Sequence, residues 1–169
     1  MPTITFVIPG TPVPQARARH RVMKLRNGQT FVGQYDPAES RIWKATVAEF
    51  ASRARNGGAP LEGPIVLEAV FVFLPTASWS KKKLAQLAAG VEIPKVTRPD
   101  LKNLIAGIED GANGILWRDD GQIWSYGNSR KVYGLRAEVR ITVRALEAAP
   151  SNGHQVEAAA LLPLEGVLR

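Results

Sequence analysis

Three acids stand apart in type and spacing. Asp100 sits at the mouth of an amphipathic segment, and the adjacent pair Asp119 and Asp120 follows some twenty residues later. A chain that reverses direction between them can bring these carboxylates to one spot. Hard oxygen ligands of that kind suit Mg²⁺, with Mn²⁺ as a substitute. In a basic protein the chemistry they point to is metal-assisted phosphodiester hydrolysis, the ion activating water and stabilising the leaving oxyanion. Plainer roles stand beside this one: Asp100 follows Pro99 and precedes a helix, as an N-cap would, and Asp119-Asp120-Gly121 is a turn sequence.

Other chemistries find no residues. The 169-residue chain has no cysteine, which excludes disulfides, thiolate zinc sites and a cysteine nucleophile, and fits a reducing compartment. His20 and His154 have no obvious serine or acid to work with. No glycine-rich strand-to-helix phosphate loop is present, so no nucleotide cofactor is expected. A hydrophobic fraction of 45% and a charged fraction of 22% describe an ordinary globular protein rather than a disordered or fibrous one. No apolar run of membrane-spanning length and no export signal is read, so the expected address is the cytoplasm.

Charge is distributed unevenly. Residues 1–144 carry 21 basic and 12 acidic side chains, whereas 145–169 carry one basic and three acidic. The basic excess attracts polyanions and phosphate backbones. Its densest stretch is Arg17, Arg19, His20, Arg21, Lys24 and Arg26, with no acid among them. Asn27-Gly28 is a hairpin signal, so this basic arm is expected to fold back as two small strands near Met23 and Phe31, a finger suited to a nucleic-acid groove.

The elements that must position these residues follow from periodicity. Thr3 to Ile8 reads as a strand ending at Pro9-Gly10. Ile42, Trp43, Val47, Phe50 and Ala51 recur at helical spacing, which predicts a helix capped by Asp36, opened by Pro37 and stopped at Asn56-Gly57-Gly58. Residues 63–74 predict a central strand buried on both faces. Residues 78–89 predict a helix with Lys81, Lys82 and Lys83 at its start, against the dipole. After Thr97-Arg98-Pro99 a second strong helix places Leu101, Leu104, Ile105 and Ile108 on one stripe, and Lys102, Asn103, Ala106, Glu109, Asp110 and Asn113 opposite. Residues 122–131 and 135–146 read as strands, the second alternating basic and apolar residues. The organisation expected is one domain over 1–146 with a flexible tail over 147–169.

The opening FVIPGTPVPQARAR (6–19), the YDPAES segment (35–40), RPDLKNLIAGIEDGANGILW (98–117) and RDDGQI (118–123) resemble, in order and spacing, the RusA family of Holliday-junction resolvases, over about residues 3–145. The resemblance implies a homodimeric α/β (α+β) fold, a small mixed sheet packed by two main helices. It also implies Mg²⁺-dependent, symmetric nicking of four-way DNA junctions in recombination and repair. Two equivalent sites about a dimer axis would match the two-fold symmetry of such a junction. The family's first essential acid falls on Asp100, and the acid of its later pair on Asp120, with Asp119 beside it.

Two positions depart from the family pattern, an Asp-x-Asp-Asn followed three residues later by lysine. This chain reads Asp100-Leu101-Lys102-Asn103 and has Ala106 at the lysine position. Positions 102 and 106 share a helix face, so the Lys102 ammonium can occupy the space of the absent lysine, preserving phosphate contact while reducing the negative charge that holds metal. Glu109 and Asp110 are candidate replacement ligands, or else they are solvated or paired with Lys102. The reading is an endonuclease acting on branched DNA, with Asp100, Asp120 and Asp119 at the metal and Lys102 at the scissile phosphate or bracing an acid. Arg17, Arg19, Arg21, Lys24 and Arg98 would hold the DNA backbone. The alternatives are a junction-binding protein of the same fold with impaired catalysis and a general nucleic-acid-binding module.

Overall fold

The computed structural model describes residues 1–16, 19–25 and 27–146. The expected tail at 147–169 lies outside the described residues. Strand β1 (Thr3–Pro9) leads to a separate two-stranded hairpin, β2 (Arg19–Lys24) and β3 (Thr30–Tyr35), in which Met23 pairs with Phe31 as the Asn27-Gly28 turn predicts. Helix α1 (Ala38–Arg55), strand β4 (Ile65–Phe73), helix α2 (Lys81–Ala88), the short β5 (Ile93–Pro94) and helix α3 (Leu101–Ala112) follow. A single 3₁₀ turn (Asp120–Gln122) then precedes β6 (Ile123–Ser125), β7 (Arg130–Tyr133) and β8 (Glu138–Ala145).

These elements make a mixed α/β fold. The main sheet runs β1-β8-β4-β7-β5, with β6 also paired to β4. β4 is its centre: antiparallel to β8, parallel to β6 and β7, and buried along its length except at half-buried Glu68. One face of β4 (Ile65, Leu67, Ala69, Phe71 and Phe73) joins Val139, Ile141 and Val143 of β8 beneath α1 and α3. The other face gives a small cluster of Val70, Val72 and Val132. Arg140 and Arg144 alternate outward along β8, as a half-exposed strand requires.

Helices α1 and α3 approach closely because glycines face α1. A methyl group on Gly107 would meet the Trp43 ring at 3.0 Å, and one on Gly111 would lie 2.6 Å from Val47 Cβ. Trp43, Val47, Leu104 and Ile108 fill the seam.

Three local expectations are corrected. Asp36 does not cap α1; Pro37 takes the cap position with no side-chain bond, and Asp36 instead accepts from Lys44 Nζ at 2.6 Å. α2 begins only at Lys81, where Ser80 Oγ accepts from the Lys83 N–H, and the Lys83 ammonium lies 3.9 Å from the Trp79 ring. The strand expected over 122–131 is two strands separated by a turn. Gly127 adopts φ +51° there, and Ser129 Oγ accepts from the Ala69 N–H at 2.9 Å, replacing a backbone partner for β4.

Candidate active site

Asp100 occupies the N-cap position of α3, and its backbone carbonyl accepts from the Asn103 and Leu104 N–H groups. Its carboxylate makes no capping bond. The plain cap reading therefore leaves the charged part of this side chain unused, at a helix end whose dipole favours an anion. Asp100 lines an open cleft of about 750 Å³ with Thr11, Pro14, Gln15, Phe73, Arg98 and Asn103. The loop that delivers it is fixed by Lys131 of β7, whose Nζ donates to the carbonyls of Thr97 (2.8 Å) and Pro99 (2.7 Å). No spacing rule marks Lys131 as a positioning residue, because it acts across the sheet.

The other acidic pair lies elsewhere in the chain. Asp119 caps the 3₁₀ turn: its carboxylate accepts from the Gly121 N–H at 2.8 Å, while Gln122 Oε1 accepts from the Asp119 N–H at 3.2 Å. Gln122 Nε2 donates to the carbonyls of Leu61 and Gly63, which ties this turn to the start of β4. Asp119 is thus a turn-forming residue that holds Asp120 outward. Asp120 is exposed, and its charge reaches Tyr126.

The two acidic sites stand at opposite ends of α3. Twelve helical residues rise about 18 Å at 1.5 Å each. The sheet agrees, since the Asp100 cleft includes Phe73 at the end of β4, while Gln122 reaches the segment just before Ile65 at its start. The expectation that a reversing chain gathers Asp100 with Asp119 and Asp120 is corrected for a single chain, because α3 itself separates them. Among the described residues, no group of three or more His, Asp or Glu side chains converges as a metal cage would.

The replacement ligands are also committed elsewhere. Glu109 accepts from the Tyr126 hydroxyl at 2.7 Å. That bond first, then burial and the charges of Glu109 and Asp120, push the phenol up to about 12. Asp110 pairs with Lys44 at 2.7 Å rather than with Lys102. Burial tends to lower the Lys44 pKa, but its bonds to Asp110 and Asp36 outweigh it and the pKa is raised. Lys102 is exposed on the same helix face as Ala106 and Glu109.

Of the basic candidates, Arg98 lines the Asp100 cleft and Lys24 is exposed near the hairpin tip. Arg19 and Arg21 belong to β2, their side chains lying outside the described residues, as does Arg17 altogether. A cation–aromatic cluster also forms beside the cleft residue Phe73: Lys95 lies 5.0 Å from the Phe73 ring and 5.4 Å from the Tyr133 ring, and Tyr133 packs edge-on against Trp79 at 4.6 Å. Scattered over four segments, these residues leave no local motif. Among the described residues, no helix is long and apolar enough to cross a membrane.

A mixed sheet under two helices, with a carboxylate free of capping duty at a helix start beside a cleft, defines a small α/β protein. The family model described as Endodeoxyribonuclease RusA matches residues 9–144, and the chain belongs to the RusA endodeoxyribonuclease family. It is also similar to "Uncharacterized protein YqaN" of Bacillus subtilis (strain 168), at 34% identity over 151 residues that cover 88% of this chain and all of that one.

Proposed function

We propose that this chain is a divalent-metal-dependent endonuclease that nicks branched DNA, four-way junctions above all, as a homodimer in the cytoplasm, in recombination and repair. The observation that carries this reading is the Asp100 carboxylate, free of capping duty and open to a cleft shared with Arg98 and Asn103, in a chain of this family.

The donors present are hard oxygens, which fit Mg²⁺ or Mn²⁺, but one chain offers a single carboxylate at the cleft. Mg²⁺ is commonly held by one or two carboxylates together with water and substrate phosphate. A second copy related by a two-fold axis can supply the missing acid, Asp120 of one copy meeting Asp100 of the other. When bound, the ion would supply an activated water and charge for the leaving oxygen. The chain's own residues do the rest. Asp119 holds the turn that presents Asp120, and Lys131 holds the loop that presents Asp100. Lys102 offers an ammonium to the scissile phosphate from the first turn of α3. Arg17, Arg19, Arg21, Lys24 and Arg98 contact the DNA backbone and give affinity that falls with salt.

The test is cleavage of a synthetic four-way junction with Mg²⁺. Wild type should nick, while Asp100→Asn and Asp120→Asn should bind without nicking. Lys102→Asp should tighten metal binding if residue 102 faces the ion. A second reading, a junction-binding protein with impaired catalysis, is favoured by Lys102 and Ala106. Binding without wild-type cutting in either Mg²⁺ or Mn²⁺ would select it.

A further inference from the structure

Gln15 belongs to the segment after β1 that lines the Asp100 cleft beside the first turn of α3. It is held from two directions. Its N–H donates to the carbonyl of Asn103 in the first turn of α3 at 2.7 Å, and the N–H of the next residue, Ala16, donates to Oγ of Ser40, a buried residue of α1. The backbone here is therefore pinned between both helices.

Gln15 Oε1 is buried and has no hydrogen-bond partner. A buried acceptor left unpaired costs about 1–3 kcal/mol, so a place built around one calls for a donor or a cation. Gln15 lines the same cleft as Asp100. A phosphodiester has no proton to give and would be repelled by the carboxylate, so the DNA backbone is a poor partner for this oxygen. A partly hydrated divalent cation satisfies both groups: amide and carboxylate oxygens are its ordinary ligands, and a neutral amide oxygen adds a donor without adding charge.

We propose that Gln15 Oε1 is a ligand, directly or through one water, to the divalent cation at Asp100. It would supply from the loop after β1 part of what the lysine at position 102 cannot supply from α3. This rests on the metal-site reading above and adds to it a residue outside both acidic motifs. In that arrangement the loop after β1 and the start of α3 each give the ion one oxygen, and only the outer acid must come from elsewhere.

The experiment is Mn²⁺ binding to the full chain without DNA, followed by titration calorimetry and by the loss of the free-ion electron paramagnetic resonance signal. Wild type, Gln15→Met, Gln15→Glu and Asp100→Asn are compared. Metal-free thermal melting is read on each. Gln15→Met should weaken Mn²⁺ binding about tenfold, and Gln15→Glu should tighten it. Without metal, Gln15→Met should melt no lower than wild type, because an apolar side chain of similar shape removes the unpaired acceptor. Wild type binding Mn²⁺ with Gln15→Met and Gln15→Glu both unchanged would overturn the role of Gln15 while leaving the metal site standing. A wild type that binds no Mn²⁺ would overturn both together. A Gln15→Met protein that melts markedly lower without metal would assign Gln15 to packing and overturn the proposal, unless Gln15→Glu still shows the tightened affinity.

Discussion

Adding one methyl group at Gly111 probes the seam that aims α3, and hence Asp100. The new Cβ would stand 2.6 Å from Val47 Cβ, 2.8 Å from its Cγ1 and 2.9 Å from the Lys44 carbonyl oxygen. Carbon pairs rest at about 3.5–4.0 Å, so the helices must part by roughly 1 Å there or Val47 must leave its place in the seam. Overpacking of this kind costs about 1–3 kcal/mol, while alanine gains about 1 kcal/mol over glycine in helix propensity. A net loss of up to about 2 kcal/mol is expected for Gly111→Ala, or up to roughly 8 °C in melting temperature for a domain of this size. Gly107→Ala, whose methyl would meet the edge of the Trp43 ring at 3.0 Å and the Val13 carbonyl oxygen at 3.6 Å, should lose less. Urea titrations of wild type, Gly111→Ala, Val47→Ala and the double variant supply the assay. Val47→Ala opens space for the new methyl, so the double variant should be more stable than the sum of the two single losses. A Gly111→Ala protein as stable as wild type, with additive losses in the double variant, would refute the reasoning.

Three further outcomes follow from the ion pairs and the hairpin. Tyr126 should titrate near 12 by its ultraviolet tyrosinate band, and Glu109→Gln should bring it down toward the ordinary value; because the neutral phenol is the favoured form, the stability it lends is present below about 10 and is lost as pH rises through the folded value. Lys44 has a raised pKa, so its pairing with Asp110 and Asp36 contributes fully below about 10.4 and fades as pH climbs through its folded value; Lys44→Met should flatten that alkaline loss in urea titrations across pH 9 to 12. Lys24→Ala should weaken junction binding evenly across sequences and reduce the slope of log affinity against log salt by about 1.

Much of this fold is legible in the sequence where one physical signal acts alone. β4 is apolar on both faces and proves to be the central strand, α3 has one clean stripe, and Asn27-Gly28 sets the hairpin register at Met23 and Phe31. Reading fails where a distant partner decides. Asp36 looks like a cap and is taken by Lys44; residues 122–131 look like one strand until Ser129 supplies a bond to β4. The site divides in the same way. The motif singles out Asp100, and the structure leaves its carboxylate free of capping duty, but its distance from Asp120 depends on which end of β4 each loop meets. Gln15 and Lys131 act through the sheet and the cleft rather than through neighbours in sequence, so no local pattern announces them.

The most direct test mixes two inactive proteins. Asp100→Asn and Asp120→Asn subunits are unfolded together, refolded and offered a four-way junction with Mg²⁺. If each site joins Asp100 of one copy to Asp120 of the other, every mixed dimer regains one intact site. An equimolar mixture should then recover about one quarter of the wild-type sites and nick one strand per junction. A mixture as inert as its two components, with dimers formed and DNA bound, would contradict a site shared between copies.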